Sequence, residues 1–519
     1  MNRIIRYIGV AIILSLLNPS GLMAQSSHSA IWMSMAPQHT DLLVASRPME
    51  GYVGILGGFQ GQIENTMLHP AQWLAQSSGE TSAVLLVDEV FESFGGMNKL
   101  GVEVQFDWLN VGVFGPNRRS FWSASVSEHV QAGLNISSDL LRLPFAGNAN
   151  FELLDSPSID LQDTGGNLSW RREYGLAWQH AWSEKWSSGI RLTVLQGIAH
   201  AQVRDNEMNI SIDPESWEWT MDGGAVLETA GLTSLINSKG QDLDRETFLN
   251  HSNRGWKWDW GIQFRPTKRL HLHAQVSDWG HLKWRSEANT FRVPDRSVTF
   301  SGLELDENVD WADLPSDTIE TWTQSVLDEW SNEWAIESDT AAFSQSFHPR
   351  WTGAMEFVCW DGSSQQGTLG CWARWGVDQN ADWRLSYNHQ LGSWVAASVS
   401  YGSRNGLPAN FGAAMTLHLG PMQVFAALDN LSAIDWTRVT YNLAEQPSQS
   451  IDLPTHAQTL QAQLGVTWRL GWVQGRKGRK KSKTTNPGNR PLQNSSRSPQ
   501  WEDEDSGSVP CNTPGSGRE

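Results

Sequence analysis

Strict alternation of apolar and polar residues marks the C-terminal part of the chain, in the stretch "LQAQLGVTWRLGW" at residues 460–472. Alternation with a period of two places every apolar side chain on one face of an extended strand, whereas a helix would scatter them around its axis. A strand in a soluble protein has about five or six residues, but a membrane-spanning β-strand needs about 9–11 tilted residues. The length of the pattern therefore indicates either a membrane-spanning strand or a long soluble hairpin.

The same alternation recurs along most of the chain, starting with "GYVGILGGF" at residue 51, in about fourteen segments. Long connections follow the first, third, fifth and seventh segments and precede the last, whereas "GPNRR", "SEK" and "PTKR" are tight turns. Short turns at one end and long loops at the other are typical of outer-membrane barrels. We therefore predict an all-β fold for residues 49–473, a transmembrane antiparallel β-barrel of about 14 strands whose long outer loops carry short helices.

The closing strand of such a barrel is expected to pair with the first, because an unpaired strand edge is too costly in lipid. Residues 1–24 have the features of a secretory signal, with cleavage expected near Ala24. Residues 25–48 are predicted to form an N-terminal periplasmic or plug segment, and residues 474–519 a disordered periplasmic tail. These features together predict the cell outer membrane as the location.

The aromatic composition supports a membrane protein, since the chain has 29 Trp against 6 Tyr. Tryptophan is favoured where hydrocarbon meets the headgroups, because its ring is buried while its N–H stays hydrated. The alternative is a soluble carbohydrate-binding protein that uses tryptophans as stacking platforms. Many of these tryptophans fall at strand ends in the apolar register, which favours the barrel.

The polar positions of the alternating segments are candidates for lining the lumen. In "WKWDWGIQFRPTKRLHLHAQ" and in the closing strand these residues are Lys257, Asp259, Gln263, Arg265, His271, His273, Gln275 and Arg469. His271 and His273 share one strand face and could together bind a metal, but two lumen-lining histidines need no ligand to explain them. We expect no metal and no cofactor.

Two charged regions are candidates for binding partners. The tail carries the basic residues Arg476, Lys477, Arg479, Lys480, Lys481 and Lys483. They could bind a periplasmic or envelope protein or lipid headgroups, and the alternative is a solvated tail. Residues 304–339 contain twelve acidic and no basic residues, with apolar residues at helical spacing, so an acidic amphipathic helix is predicted there. We also expect contact with outer-membrane lipid and no nucleic-acid partner.

Motifs of catalytic chemistry are missing from the sequence: it has no "GxSxG", phosphate-binding loop, "HExxH" or "CxxC". The chain is therefore not expected to be an enzyme. Cys359 and Cys371 flank a short turn on the same strand face, which allows a cross-hairpin disulfide in an oxidising periplasm. Two free thiols are the alternative.

Several longer stretches carry a resemblance to a known family. "PFAGNANFE", "REYGLAWQHAWSEKWSSGIRLTVLQGIA" and "NFGAAMTLHLGPMQVFAALDN" occur in the order found in a family of uncharacterised Bacteroidota outer-membrane barrel proteins, which this chain resembles from about residue 31 to residue 472. Related barrels include the PorP/SprF-like partners of type IX secretion and gliding, and fatty-acid-transporter-like barrels. The resemblance implies the fold and the location and no catalytic residue.

Two functions fit a barrel of this kind. The first is a scaffold or accessory component of a cell-envelope machine, such as secretion or gliding, because long outer loops and a charged inner tail suit binding on both sides. The second is an outer-membrane channel or transporter for small or hydrophobic solutes. A lumen filled by paired charges would not conduct, so electrical conductance separates the two.

Overall fold

The computed structural model describes residues 28–66, 74–76, 83–85, 98–146, 158–213, 218–232, 252–300, 334, 336–362, 364–377, 379–404, 409–431, 436–441, 449–454 and 459–470. The predicted signal sequence lies outside the described residues. The basic tail with its six candidate partner-binding residues and most of the acidic region do so as well.

The described residues are mainly strands. In chain order these are β1 (Gly51–Asn65), β2 (Leu74–Gln76), β3 (Ala83–Leu85), β4 (Asn98–Phe114), β5 (Ser120–Ile136), β6 (Ser158–Asp160), β7 (Gly165–Ala181), β8 (Trp186–Asn206), β9 (Asn209–Ile212), β10 (Trp219–Ala230), β11 (Arg254–Phe264), β12 (Leu270–Trp284), β13 (Asn289–Phe300), β14 (Glu337–Asp339), β15 (Phe343–Phe347), β16 (Arg350–Asp361), β17 (Gln365–Gly376), β18 (Gln379–Leu391), β19 (Val395–Ser403), β20 (Asn410–Leu419), β21 (Met422–Asp429), β22 (Trp436–Tyr441), β23 (Gln449–Pro454) and β24 (Thr459–Leu470). A 3-10 turn covers His28–Ala30, and the helices are α1 (His39–Leu42) and α2 (Ser138–Ala146).

Fourteen of these strands close into an antiparallel barrel. Around the wall they are β1, β4, β5, β7, β8, β11, β12, β16, β17, β18, β19, β20, β21 and β24. The last strand pairs with the first, from Gly51 opposite Leu470 to Glu64 opposite Thr459. Closure leaves the barrel without a strand edge, as a wall in lipid requires. The predicted transmembrane barrel is thereby confirmed.

The two faces of the wall differ in polarity. On β24, Leu464 and Trp468 are 57% and 45% exposed on the outside of the barrel, while Gln463 and Thr467, each next to one of them in sequence, are buried inside. The same alternation holds on β11, where Trp256 and other aromatic residues point outward. The apolar band on the outside suits lipid, and the inside of the barrel is unusually polar for a protein interior.

The connections divide the barrel into two ends. The tight turns at residues 115–119, 182–185 and 265–269 lie at the same end as the start of β1 and the end of β24. In outer-membrane barrels the short turns are on the periplasmic side, so this is the periplasmic end. Among the described residues no helix is long and apolar enough to cross a membrane.

The sheet continues beyond the barrel at the outer end. Strands β6, β9, β10, β13 and β14 extend it, and residues 159, 161, 210 and 212 form a buried apolar cluster there, against which Leu140 of α2 packs. A second cluster, formed by Leu195, Ala230, Leu282, Trp284 and Phe347, is buried where β8 and β12 leave the barrel. The outer connections therefore contain folded sheet as well as the short helix that the sequence predicts.

The two cysteines of the hairpin formed by β16 and β17 are free. The register places Cys371 opposite Met355, and Cys359 lies four residues farther along β16. At about 3.3 Å per residue that offset is about 13 Å, whereas the Cα atoms of a disulfide lie within about 7 Å of each other. The disulfide considered from the sequence is therefore not formed, because a shared strand face does not make two residues cross-strand neighbours.

Candidate functional site: the barrel lumen

The lumen-lining candidates on β11 and β12 lie on the inner face of the wall. Lys257, Asp259 and Gln263 point away from the exposed tryptophans of β11, and Asp259 and Gln263 are buried. On β12, His273 and Gln275 are buried on the same side. The side-chain amide of Gln263 lies 3.2 Å from Nε2 of His273, so the two strands are linked inside the barrel.

The other three candidates lie toward the periplasmic end. Nδ1 of His271 is 2.8 Å from a carboxylate oxygen of Glu356. Arg265 donates from Nη2 to Oε1 of Gln263 at 3.1 Å. Arg469 forms an ion pair with Glu50, which directly precedes β1, with Nη2 at 2.6 Å from Oε1. These contacts tie the wall together at the rim.

Residues 28–48, which we call the lumen segment, lie inside the barrel. Ile31, Trp32, Met33 and Met35 are buried in a cluster with inward-facing residues of five strands. Those wall residues are Ala354, Trp372, Ala396, Ala414, Phe425 and Ala427. The apolar side chains of the lumen segment thus pack on the few apolar positions of an otherwise polar inner surface, which is how the hydrophobic effect holds them there.

Side chains of the wall also bond the backbone of the lumen segment. The amide of Gln275 accepts from the N–H of Val44 at 2.8 Å and donates to the carbonyl of Leu42 at 3.2 Å. Gln423, on the other side of the barrel, donates to the carbonyl of Met35 at 2.7 Å. Backbone groups without a helix or sheet partner are satisfied in this way, as buried backbone requires.

Arg191 of β8 connects the lumen segment to the wall. Its Nη2 donates to the carbonyl of Thr40 at 2.8 Å and to Oδ1 of Asp41 at 3.0 Å. Its Nη1 lies 3.7 Å from Oδ2 of Asp259 on the neighbouring strand. One guanidinium therefore serves a carboxylate of the segment and a carboxylate of the wall.

Two wall glycines make room for the lumen segment. A Cβ atom at Gly189 would overlap the carbonyl oxygen of Val44, and one at Gly370 would overlap the indole ring of Trp32. Because overlaps of this kind force the backbone or the side chain to move, any larger residue at either position would push the segment away from the wall.

The ends of the lumen segment contact opposite ends of the barrel. Arg47 donates from Nη1 to the carbonyl of Arg118 in a periplasmic turn at 2.8 Å. At the other end, Ser29 bonds Asp429, the last residue of β21, and its Oγ lies 2.7 Å from Oγ of Ser400. The chain therefore runs along the inside of the wall from the outer end to the periplasmic rim.

Burial shifts two ionisable groups of the lumen segment. It lowers the pKa of His39 to about 4, since the charged imidazole would lose its hydration. Nδ1 of His39 lies 2.6 Å from the carbonyl of Ala36, and Nε2 lies 3.0 Å from Oγ of Ser46, which suits a neutral ring. Burial also raises the pKa of Asp41, opposed by the charge of Arg191.

A network of ion pairs lies on the inner face of the wall, on the outer side of α1. Nζ of Lys257 lies 2.9 Å from Oε2 of Glu173 and 3.2 Å from Oδ1 of Asp278. Asp278 also accepts from Arg350, and Glu173 from Arg171 at 2.9 Å. The register of β12 against β11 is interrupted at Asp278, whose φ is +59°. This bulge turns both residue 277 and Asp278 inward.

The space left between the lumen segment and this network is a cavity of about 110 Å³. Its charged lining residues are Asp41, Asp107, Glu173, Arg191, Lys257, Asp259, Asp278, Arg350 and Arg374. The lining of this part of the lumen is mainly polar.

Sequence reasoning missed the members of the network that lie outside the two quoted segments, namely Glu173, Arg191 and Arg350. Each occupies a polar position within an alternating segment, as Arg191 does between two outward residues, so a systematic search of those positions would have found them. Asp278 is different, because the bulge shifts the phase of β12 and hides its inward direction. In the described part of the chain no group of three or more His, Cys, Asp or Glu side chains is arranged to bind a metal.

Comparison with solved structures finds other outer-membrane proteins at low similarity. The toluene transporter TodX of Pseudomonas putida is 9% identical, with 86% of this chain and 93% of that chain covered at a TM-score of 0.36. A FadL homologue of Pseudomonas aeruginosa is 10% identical, with coverages of 87% and 100% at a TM-score of 0.39. The toluene transporter TbuX of Ralstonia pickettii is 6% identical, with coverages of 84% and 94% at a TM-score of 0.36.

TM-scores this low carry no argument about the present protein, whose barrel is established by its own strand pairing. No curated protein sequence matches the chain. One family model matches residues 45–429, which is most of the barrel. The chain belongs to that family, DUF5723, a family of unknown function.

Proposed function

We propose that this outer-membrane barrel is a channel whose lumen segment acts as a plug. The observation that carries the proposal is the way the segment is bound. It precedes β1 without being part of a barrel strand, and it is held inside the wall by side-chain hydrogen bonds, one shared guanidinium and apolar contacts. A segment bound in this manner can leave without breaking any strand pair of the barrel.

The solutes we propose are small and polar. The cavity beside the segment is lined by charged and amide groups, and removal of the segment would extend this polar surface toward the periplasm. A solute that crosses such a lumen exchanges its water for these groups, which favours polar over apolar solutes.

A scaffold role is the competing function suggested by the sequence. Its main support is the basic tail, whereas the channel is supported by contacts within the described barrel. The two functions predict different behaviour of the purified protein in a bilayer without its partners, because a channel has to open there and a scaffold does not.

The test is conductance of the purified protein in planar lipid bilayers. The wild type is compared with a variant in which residues 28–46 are replaced by a Gly/Ser sequence of equal length. We expect rare openings for the wild type and stable single-channel steps for the variant. A heat-dependent shift in electrophoretic mobility shows that each barrel is folded.

Gly189→Ala provides an independent variant, because it leaves the sequence of the segment unchanged and pushes the segment away from the wall at Val44. Its matched control is Gly353→Ala, where the nearest atom to a new Cβ is at 3.8 Å. Increased opening of the first variant alone supports the channel. Folded barrels that stay silent in both segment variants contradict it, and silence together with co-purifying envelope proteins favours the scaffold.

A further inference from the structure

The outside of the barrel wall carries an apolar groove of about 600 Å³ across strands β16 to β20. One row of outward-facing residues runs along it, each opposite the next in successive strands. The members of this row are Met355, Cys371, Leu385, Tyr401 and Phe411. A second row, which includes Phe357 and Tyr387, forms the other side.

The groove results from the sizes of these side chains. Cys371 is only partly exposed and lies between the larger Met355 and Leu385, of which Leu385 is 53% exposed. Phe411 at the end of the row is 60% exposed. The small thiol therefore leaves a recess between projecting apolar side chains.

Aromatic rings border the groove on both sides. On the periplasmic side, the ring of Trp360 packs over Gly367, and its centroid is 5.8 Å from that of Tyr387. On the outer side, the ring of Tyr401 lies 4.9 Å from Phe411 and 6.2 Å from Trp383.

Tryptophans favour the two levels where hydrocarbon meets headgroups. Trp360 lies near the periplasmic end of β16, and Trp383 lies in the outer half of β18. The groove is between them, at the depth of the hydrocarbon core. Its lining contains no charged side chain, so it cannot recognise a headgroup. Whatever occupies it must be a hydrocarbon.

We propose that the groove binds one acyl chain of a membrane phospholipid and retains it in preference to the lipids elsewhere around the barrel. The membrane covers this face, so lipid acyl chains are always next to the groove. A chain in the recess contacts side chains on three sides instead of one, and dispersion contacts add up over its length. Proximity to the lumen segment plays no part, so the proposal is independent of the channel function.

The first test is native mass spectrometry of the purified barrel after incubation with dipalmitoyl phosphatidylethanolamine and detergent exchange. The wild type is expected to retain one lipid. Cys371→Trp fills the recess and is expected to lower the retained fraction several-fold. The matched control is Leu192→Trp, on the outward face of β8, where Leu192 is 51% exposed; this variant should retain lipid as the wild type does.

Thiol labelling provides a second test that needs no variant. In detergent, the added phospholipid is expected to slow the reaction of Cys371 with a maleimide and to leave that of Cys359 unchanged. Equal lipid retention by Cys371→Trp and wild type, equal loss in Leu192→Trp, or unprotected Cys371 would each overturn the proposal. So would a wild-type barrel that carries no lipid, or one whose groove is covered by a second copy of the chain.

Discussion

The lumen segment and the ion-pair network lie in the same lumen, but the segment fills part of it whereas the network belongs to its lining. The segment is not part of a barrel strand, and its apolar side chains pack on a small apolar part of the wall. The network consists of side chains of the wall itself, with Lys257 between Glu173 and Asp278. Loss of the segment leaves the strand pairing intact, whereas loss of a network member leaves buried charges of the wall with fewer partners.

The difference teaches that one barrel can combine a removable filling with a permanent charged lining. Charges on the inner face need partners, because an isolated buried charge is very costly. The wall depends less on the segment, since water can replace it at the polar positions that it covers. Arg191 is the point of contact between the two, because it serves both Asp41 and Asp259.

The largest effect is expected from breaking the network. Lys257→Met removes the cation that Glu173 and Asp278 share, although each carboxylate keeps one arginine. We expect the free energy of unfolding to fall by about 3 kcal/mol, measured as a shift of the urea transition in lipid vesicles. Lys268→Met, in an exposed turn, serves as control and should change stability by less than about 0.5 kcal/mol. Equal stability of the two variants would show that the network is not needed by the wall.

The second prediction concerns the pH dependence of segment binding. His39 has a pKa of about 4 inside the barrel, whereas a free imidazole titrates near 6.5. The released segment therefore takes up a proton first, so binding is strongest above about pH 6.5 and weakens by up to about 1.4 kcal/mol per pH unit toward pH 4. Asp41 acts in the opposite sense at the low end, because its raised pKa favours protonation in the bound state.

The measurement is protease cleavage within residues 28–48 in vesicles as a function of pH, compared between wild type and His39→Gln. Cleavage of the wild type should rise as the pH is lowered from 6.5, and the variant should lose most of that rise. Parallel pH profiles would contradict a role for the imidazole.

A smaller effect is expected at Gln275, which bonds the segment twice. Gln275→Leu leaves the N–H of Val44 and the carbonyl of Leu42 without these partners, at a cost of about 1–3 kcal/mol. Hydrogen exchange of residues 40–46 should become faster while the barrel strands stay protected. In Gln390→Leu, whose side chain bonds only a turn carbonyl, the exchange of these residues should not change.

The smallest effect is expected on the outer face. Because Cys359 and Cys371 are free and out of register with each other, the double serine variant should match the wild type in stability within about 0.5 kcal/mol. Oxidation should produce no faster-migrating species on gels. A shift that disappears on reduction would mean that the hairpin can change its register.

Strand alternation in the sequence was sufficient to predict the barrel, its strand number, its closure and the inward direction of residues such as Lys257 and Gln263. These are local properties, because the side-chain period of a strand fixes which residues share a face. For the two cysteines the same reasoning left both a disulfide and two free thiols open, since a shared face does not give the register, and the structure has free thiols. The signal, the tail contacts and the role of residues 25–48 as a plug stay predictions.

The tertiary structure alone decided which inward groups meet. Glu173, Lys257 and Asp278 come from three strands and are brought together by the register and by a bulge that the pattern does not reveal. The place of the lumen segment depends on gaps at wall glycines such as Gly189, far away in sequence. The physical reason is that alternation is set by each strand's own backbone, whereas partners from different strands are set by how the strands of the barrel pair with one another.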